Sequence, residues 1–284
     1  MRDPIGSRRQ RRGVRHRRAV IVVVSFALLV AGLSGAAVLA LSGGGQRHSR
    51  AVPETVTSNP VSEPSTSTST STTPTTAPFP PPTPVAIPPG PVAPIISKIT
   101  TPNRVGFFTI DDGFVQDPAV VDYLRQNQIP FTMFVLPAAL QQNPTYFQTL
   151  HQLGATVQDH TVHHLDLTRL SYQQQVNEIC GPLAGDAFLF GQRPWLFRPP
   201  NGSYNRETLQ ATRTCGLQAV VLWEGTMNDG VLRLQHPGPL QPGDIILMHF
   251  RTDLLQNLKN LSAAAYLTGL RVAPLEQYLP PPTP

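Results

Sequence analysis

Between positions 99 and 284, short apolar runs alternate with longer amphipathic stretches. The runs at 105–110, 131–136, 155–158, 195–197, 218–223, 245–248 and 271–273 are too short for helices and read as strands. Between them, apolar positions recur at helical spacing over 118–126, 144–153, 171–180, 206–215 and 254–267. Asp117-Pro118 supplies a cap followed by proline at the first turn, Ser171 opens another helix, and Gly216 closes a third. Strand–helix repetition of this kind predicts an α/β fold, a parallel sheet of about seven strands with covering helices, open or closed into a barrel.

The first 98 residues follow different patterns. Positions 19–41 are apolar or small and uncharged, and as a helix they would span roughly 34 Å against a hydrocarbon core of about 30 Å. A transmembrane signal-anchor is therefore expected at 19–41, and a cleaved signal peptide, leaving a secreted protein, is the alternative. Residues 1–18 hold eight Arg, which would keep that end cytoplasmic and place the rest outside the cell membrane in a single-pass topology. Residues 42–98 are dominated by Ser, Thr and Pro, cannot bury a core, and are expected to form a disordered tether. Such a tether would reach roughly 40 Å as a flexible coil. The folded domain is assigned to 99–284.

Charge changes the picture once it is located. Of 22 Lys and Arg and 17 Asp and Glu, the tail takes eight and one, which leaves 14 against 16. The remainder is slightly acidic, so the high overall basicity does not call for a nucleic-acid partner. The two cysteines, Cys180 and Cys215, fall on the exported side, where a disulfide between them is expected.

Polar residues gather where the predicted strands end: Asp111 and Asp112, His160, Arg198, Trp223 and Glu224, and His249. In a parallel α/β barrel such ends share one face, where an active site is built. Adjacent carboxylates oppose each other's ionisation unless a cation lies between them. His160 and His164, four apart, would share a face on one helical turn and grip one ion, with His163 pointing away. One carboxylate and two imidazoles leave positions open for water, as catalytic zinc sites do. Arg198 could hold a carboxylate by a two-pronged hydrogen bond, in a loop stiffened by Pro199-Pro200 and opened by Gly202.

These motifs resemble those of the polysaccharide deacetylases, the chitooligosaccharide-deacetylase homology domain of carbohydrate esterase family four. Thr109-Ile110-Asp111-Asp112-Gly113, His160-Thr161-Val162-His163-His164, Arg198-Pro199-Pro200 and Leu247-Met248-His249 match in order. The resemblance implies a distorted (β/α) barrel in which Asp112, His160 and His164 bind a divalent metal, usually zinc. It implies Asp111 as general base, Arg198 as its orienting partner, His249 as general acid and Leu247 in the acetyl pocket. Asn201, Gly202, Tyr204 and Trp223 are the remaining expected substrate contacts, with the Asn201 backbone N–H a donor to the oxyanion.

The chain departs from the family at several points. Asn201 stands where an aromatic is usual, and Phe114 and Leu165 replace prolines. The fourth motif is degraded in 223–230, where Glu224 or Asp229 is the candidate carboxylate for Arg198. The expected function is a metal-dependent deacetylase acting on N-acetylated glycan, peptidoglycan or chitin-like, at the cell wall. The alternatives are a catalytically impaired wall-glycan-binding domain and an O-acetyl esterase. A glycosidase would leave both histidines unexplained, and an iron oxygenase would share the two-His, one-carboxylate set.

Overall fold

The computed structural model describes residues 81–282. The basic tail at 1–18, the anchor at 19–41, most of the tether at 42–98 and the last two residues lie outside them. Among the described residues no helix is long and apolar enough to cross a membrane.

Among the described residues ten strands run in chain order as Ile95–Ile96 (β1), Val105–Asp112 (β2), Thr132–Val135 (β3), Thr156–Asp159 (β4), Leu196–Phe197 (β5), Ala219–Val221 (β6), Gly225–Asn228 (β7), Val231–Leu234 (β8), Ile245–His249 (β9) and Arg271–Val272 (β10). The helices are Pro118–Asn127 (α1), Pro137–Gln142 (α2), Pro144–Gln152 (α3), Tyr172–Cys180 (α4), Leu183–Phe190 (α5), Arg206–Thr214 (α6) and Leu254–Leu267 (α7). The strands form one sheet in the order β1-β6-β5-β4-β3-β2-β9-β7-β8, and β10 pairs with the start of β2. Every pairing is parallel except the β7–β8 hairpin. The sheet curls into an open, distorted barrel.

Three of these strands correct the expected seven. β7 and β8 form an antiparallel hairpin whose turn, Asp229-Gly230, has positive φ at both residues (52° and 72°). An Asp-Gly pair is a strong hairpin signal; it is masked here by the motif that overlaps it. β1 corrects the tether boundary, because Ile95 and Ile96 pair with Val220 and Val221 well before position 99. Val85 N–H donates to the Tyr278 carbonyl at 2.8 Å, and Ala93 is buried. The Pro-rich composition of this stretch hides a short apolar segment that packs. α2 and α5 also escape the pattern, α2 because six residues show no period and α5 because Leu183-Ala184-Gly185-Asp186-Ala187-Phe188-Leu189-Phe190 is apolar nearly throughout.

Alternation along the strands sorts the core into layers. Phe107, Phe134, Leu196, Val221 and Ile245 share the interior cluster, and Phe108, Ile110, Met133, Ile246 and Met248 pack beneath the helices. Each such side chain stabilises the fold by about 1.5–3 kcal/mol. Val85, Ile87, Tyr278 and Leu279 join the interior cluster with Val105, the first residue of β2, and so fill the N-terminal end of the barrel. The opposite, C-terminal end is left to polar residues.

Candidate active site

Register places those residues side by side. Asp111 lies opposite His249 across β2–β9 and opposite Phe134 across β2–β3, and Asp159, the residue before His160, lies opposite Phe197, the residue before Arg198. Strict alternation would send Asp112 away from Asp111. Its φ of 78° turns the chain instead, and His160 Nε2 stands 3.8 Å from Asp111 Oδ2 and 3.6 Å from Asp112 Oδ1.

The two imidazoles meet, but no helical turn brings them together. Residues 160–164 form a loop in which Thr161 and His164 have φ of 70° and 56°. His160 Nδ1 lies 2.7 Å from the Arg198 carbonyl, to which it donates, so Nε2 is left as the free electron pair. His164 Nε2 stands 3.5 Å from the same Asp112 Oδ1. That oxygen is buried and has no hydrogen-bond partner among the described residues. Ligand atoms of Asp112, His160 and His164 all lie within 4.8 Å of one another. Three potential ligand atoms that converge at 3.5–3.6 Å, with the carboxylate oxygen left without a hydrogen bond, fit a divalent cation. Burial alone would raise the Asp112 carboxyl, yet the imidazoles of His160, His249 and His164 carry it below its usual value. Burial and the neighbouring His160 lower His164 against the pull of Asp112, which favours its neutral form.

Arg198 is fully buried against the Phe134 ring at 4.2 Å. Its hold on Asp111 is single-pronged rather than the expected fork: Nη1 donates to Asp111 Oδ1 and to Thr109 Oγ1, both at 2.8 Å. Its other donors go to the carbonyls of Val221 and Leu222. Neither candidate carboxylate takes them up, since Glu224 accepts from Ser97 Oγ at 2.6 Å and Asp229 sits in the hairpin turn. Thr109 was missed as a site residue, although it is the polar position two before Asp111 on the interior face.

His249 Nδ1 lies 3.4 Å from Asn228 Oδ1, a second missed partner, delivered by the unpredicted β7. Burial lowers the His249 pKa more than Asp111 and Asp112 raise it, which keeps its ring neutral near pH 7.

The remaining substrate candidates ring this centre unequally. Gly202 has φ of 66° and lies so close to Trp223 that a Cβ would stand 2.9 Å from the indole. Asn201 is exposed at φ 56°, Tyr204 is partly exposed, and Leu247 is buried opposite Thr109. Phe114 and Leu165, which stand in place of prolines, are 53% and 44% exposed, and Phe114 lines a cleft of about 390 Å³ with Asp112, Leu136, Ala138 and His164. Cys180 and Cys215 are joined as a disulfide between α4 and the residue after α6.

The polysaccharide deacetylase family model matches residues 98–220. An uncharacterised protein of Streptomyces coelicolor is 37% identical over 196 residues, covering 66% of this chain and 77% of its own. The chain belongs to the polysaccharide deacetylase family. As a polysaccharide deacetylase it is also 28% identical over 171 residues to a peptidoglycan-N-acetylglucosamine deacetylase of Bacillus cereus, across 56% of this chain and 78% of the other. Among solved structures, a family 4 carbohydrate esterase from Streptomyces lividans, in complex with acetate, superposes with a TM-score of 0.54 at 26% identity, over 62% of this chain and 94% of the other.

Proposed function

We propose that this deacetylase is metal-dependent and removes acetyl groups from N-acetylated glycan, most directly peptidoglycan, outside the cytoplasmic membrane. The observation that carries the reading is the buried, partnerless Asp112 Oδ1 between two imidazole nitrogens, beside an Asp111 carboxylate held by Arg198. The named substrate of the Bacillus cereus relative supports the glycan class.

Asp112, His160 and His164 would hold the ion, and two imidazoles with one carboxylate suit Zn2+. When bound, it supplies positive charge that polarises the acetamide carbonyl and acidifies water. The chain's own residues do the rest. Arg198 holds and aims Asp111 through the Nη1–Oδ1 hydrogen bond, and the Asp111 carboxylate takes a proton as water oxygen bonds to the carbonyl carbon. The Asn201 backbone N–H would donate to the charge that builds on the carbonyl oxygen. His249 begins neutral, so the proton it passes to the departing nitrogen is the one Asp111 received from water, handed across the β2–β9 pair. The C–N bond breaks, giving amine and acetic acid.

Acetate release from N-acetylglucosamine oligomers and peptidoglycan tests this. It is expected to fall at least 1000-fold in Asp111→Asn, to vanish on chelation and to return with Zn2+. Release untouched by both treatments overturns the reading.

A further inference from the structure

We propose that Glu178 of α4 is a positioning residue for the metal-ligand loop, holding His160 and His164 in ligating geometry before an ion arrives. The inference rests on the metal reading of the site and adds what keeps that site in shape.

The loop at 160–164 is not self-supporting. It has no regular structure, and left-handed φ at Thr161 and His164 is strained for residues other than glycine. Within it, only the Thr161 side chain, accepting from His164 N–H at 3.1 Å, ties one end to the other. Its first two residues are held from the strand ends, His160 Nδ1 by the Arg198 carbonyl and Thr161 N–H by Asp159 Oδ1, and the hold on its middle comes from α4. Val162 N–H donates to the Glu178 carbonyl at 3.1 Å, and His163 N–H donates to Glu178 Oε2 at 2.9 Å. Glu178 Oε1 accepts from His163 Nδ1 at 2.7 Å. One buried residue thus takes two of the three main-chain N–H groups that lie between the two histidines, the third, of Thr161, going to Asp159 Oδ1 at 3.2 Å.

The platform itself is braced. A Cβ on Gly181 would stand 2.5 Å from Val162 Cγ2, so the loop lies hard against the end of α4. Cys180, two residues from Glu178, is bonded to Cys215, and Tyr172 at the other end of α4 meets Thr214 Oγ1 at 2.8 Å. His163 has its ring largely exposed and touches no ligand atom; its place in the arrangement is as the handle that Glu178 grips.

Zn2+ titration of the full chain, with hydrogen exchange on its metal-free form, tests the proposal. Partners behind metal ligands typically change affinity 10–100-fold. Glu178→Ala is expected to weaken Zn2+ binding at least tenfold, with the metal-free melting temperature within a few degrees of wild type. Glu178→Gln, whose amide oxygen still accepts from His163 N–H, is expected to recover most of that loss. In metal-free wild type the Val162 and His163 amides are expected to be protected. Affinity of Glu178→Ala within threefold of wild type overturns the proposal, as does a loss that only tracks a fall in melting temperature. Unprotected Val162 and His163 amides in wild type overturn it without any variant. Wild type that binds no Zn2+ removes the metal reading instead, while the exchange data still report on the clamp.

Discussion

At Asp112 a single left-handed dihedral decides where a charge goes, and the neighbouring imidazoles decide how long it stays. A metal-ligating histidine must be neutral, and His164 is held below 6.5 by burial and by His160. Lowering shifts the loss of the neutral form to more acid conditions, and the lowered Asp112 remains ionised there. Zn2+ affinity is therefore expected to hold from pH 8 to about 6.5 and to decline below it, as measured by titration across that range. The amide at Asn228 leaves His249 with a neutral partner, so Asn228→Asp is expected to raise the His249 pKa by on the order of one unit through its charge. The limb of the pH–rate profile set by His249 should move up with it. Asp111, Asp112, His160, Arg198 and His249 are legible in the sequence because each interrupts or ends an apolar run. Thr109, Asn228 and Glu178 are not, because their partners are 89, 21 and 15 residues away and no spacing rule connects them.

Among the elements, the long strands and capped helices are legible, since period and terminus signals agree at α1, α4 and α6, and α7 is legible from its period and length alone. What escapes is short or doubly encoded: the two-residue β1 inside a Pro-rich stretch, and the β7–β8 hairpin whose Asp-Gly turn coincides with a degraded motif. The helical spacing of His160 and His164 misleads for a related reason, because a loop braced from outside can present residues four apart to one point. The brace depends on α4 staying against α6. Closing a loop of 35 residues by the Cys180–Cys215 bond stabilises the fold by about 4 kcal/mol in the chain-entropy account. Cys180→Ser with Cys215→Ser is expected to lower the unfolding free energy by about that amount in denaturant titration.

Over the whole molecule, stability should vary with pH through a buried carboxyl pair behind the site. Asp186 is raised by burial to about 7, and Asp159 is raised well above 3.8 by burial and by Asp186. Both have a buried oxygen without a partner among the described residues. The folded state binds these protons more tightly than the unfolded chain, so stability falls as pH rises from about 4 through about 7 and then levels for Asp186. The full span is on the order of 4 kcal/mol for that group. Asp186→Asn is expected to melt about 5–10 °C above wild type at pH 8 and close to it at pH 4.5, in paired thermal scans.

Val85 enters at the floor of the barrel, bonded to Tyr278, while Asp112 and its histidines open at the roof. The first described residues therefore meet the barrel at the end opposite Asp112, His160 and His164, so that changes to the chain before Val85 leave the strand ends that carry the three side chains untouched.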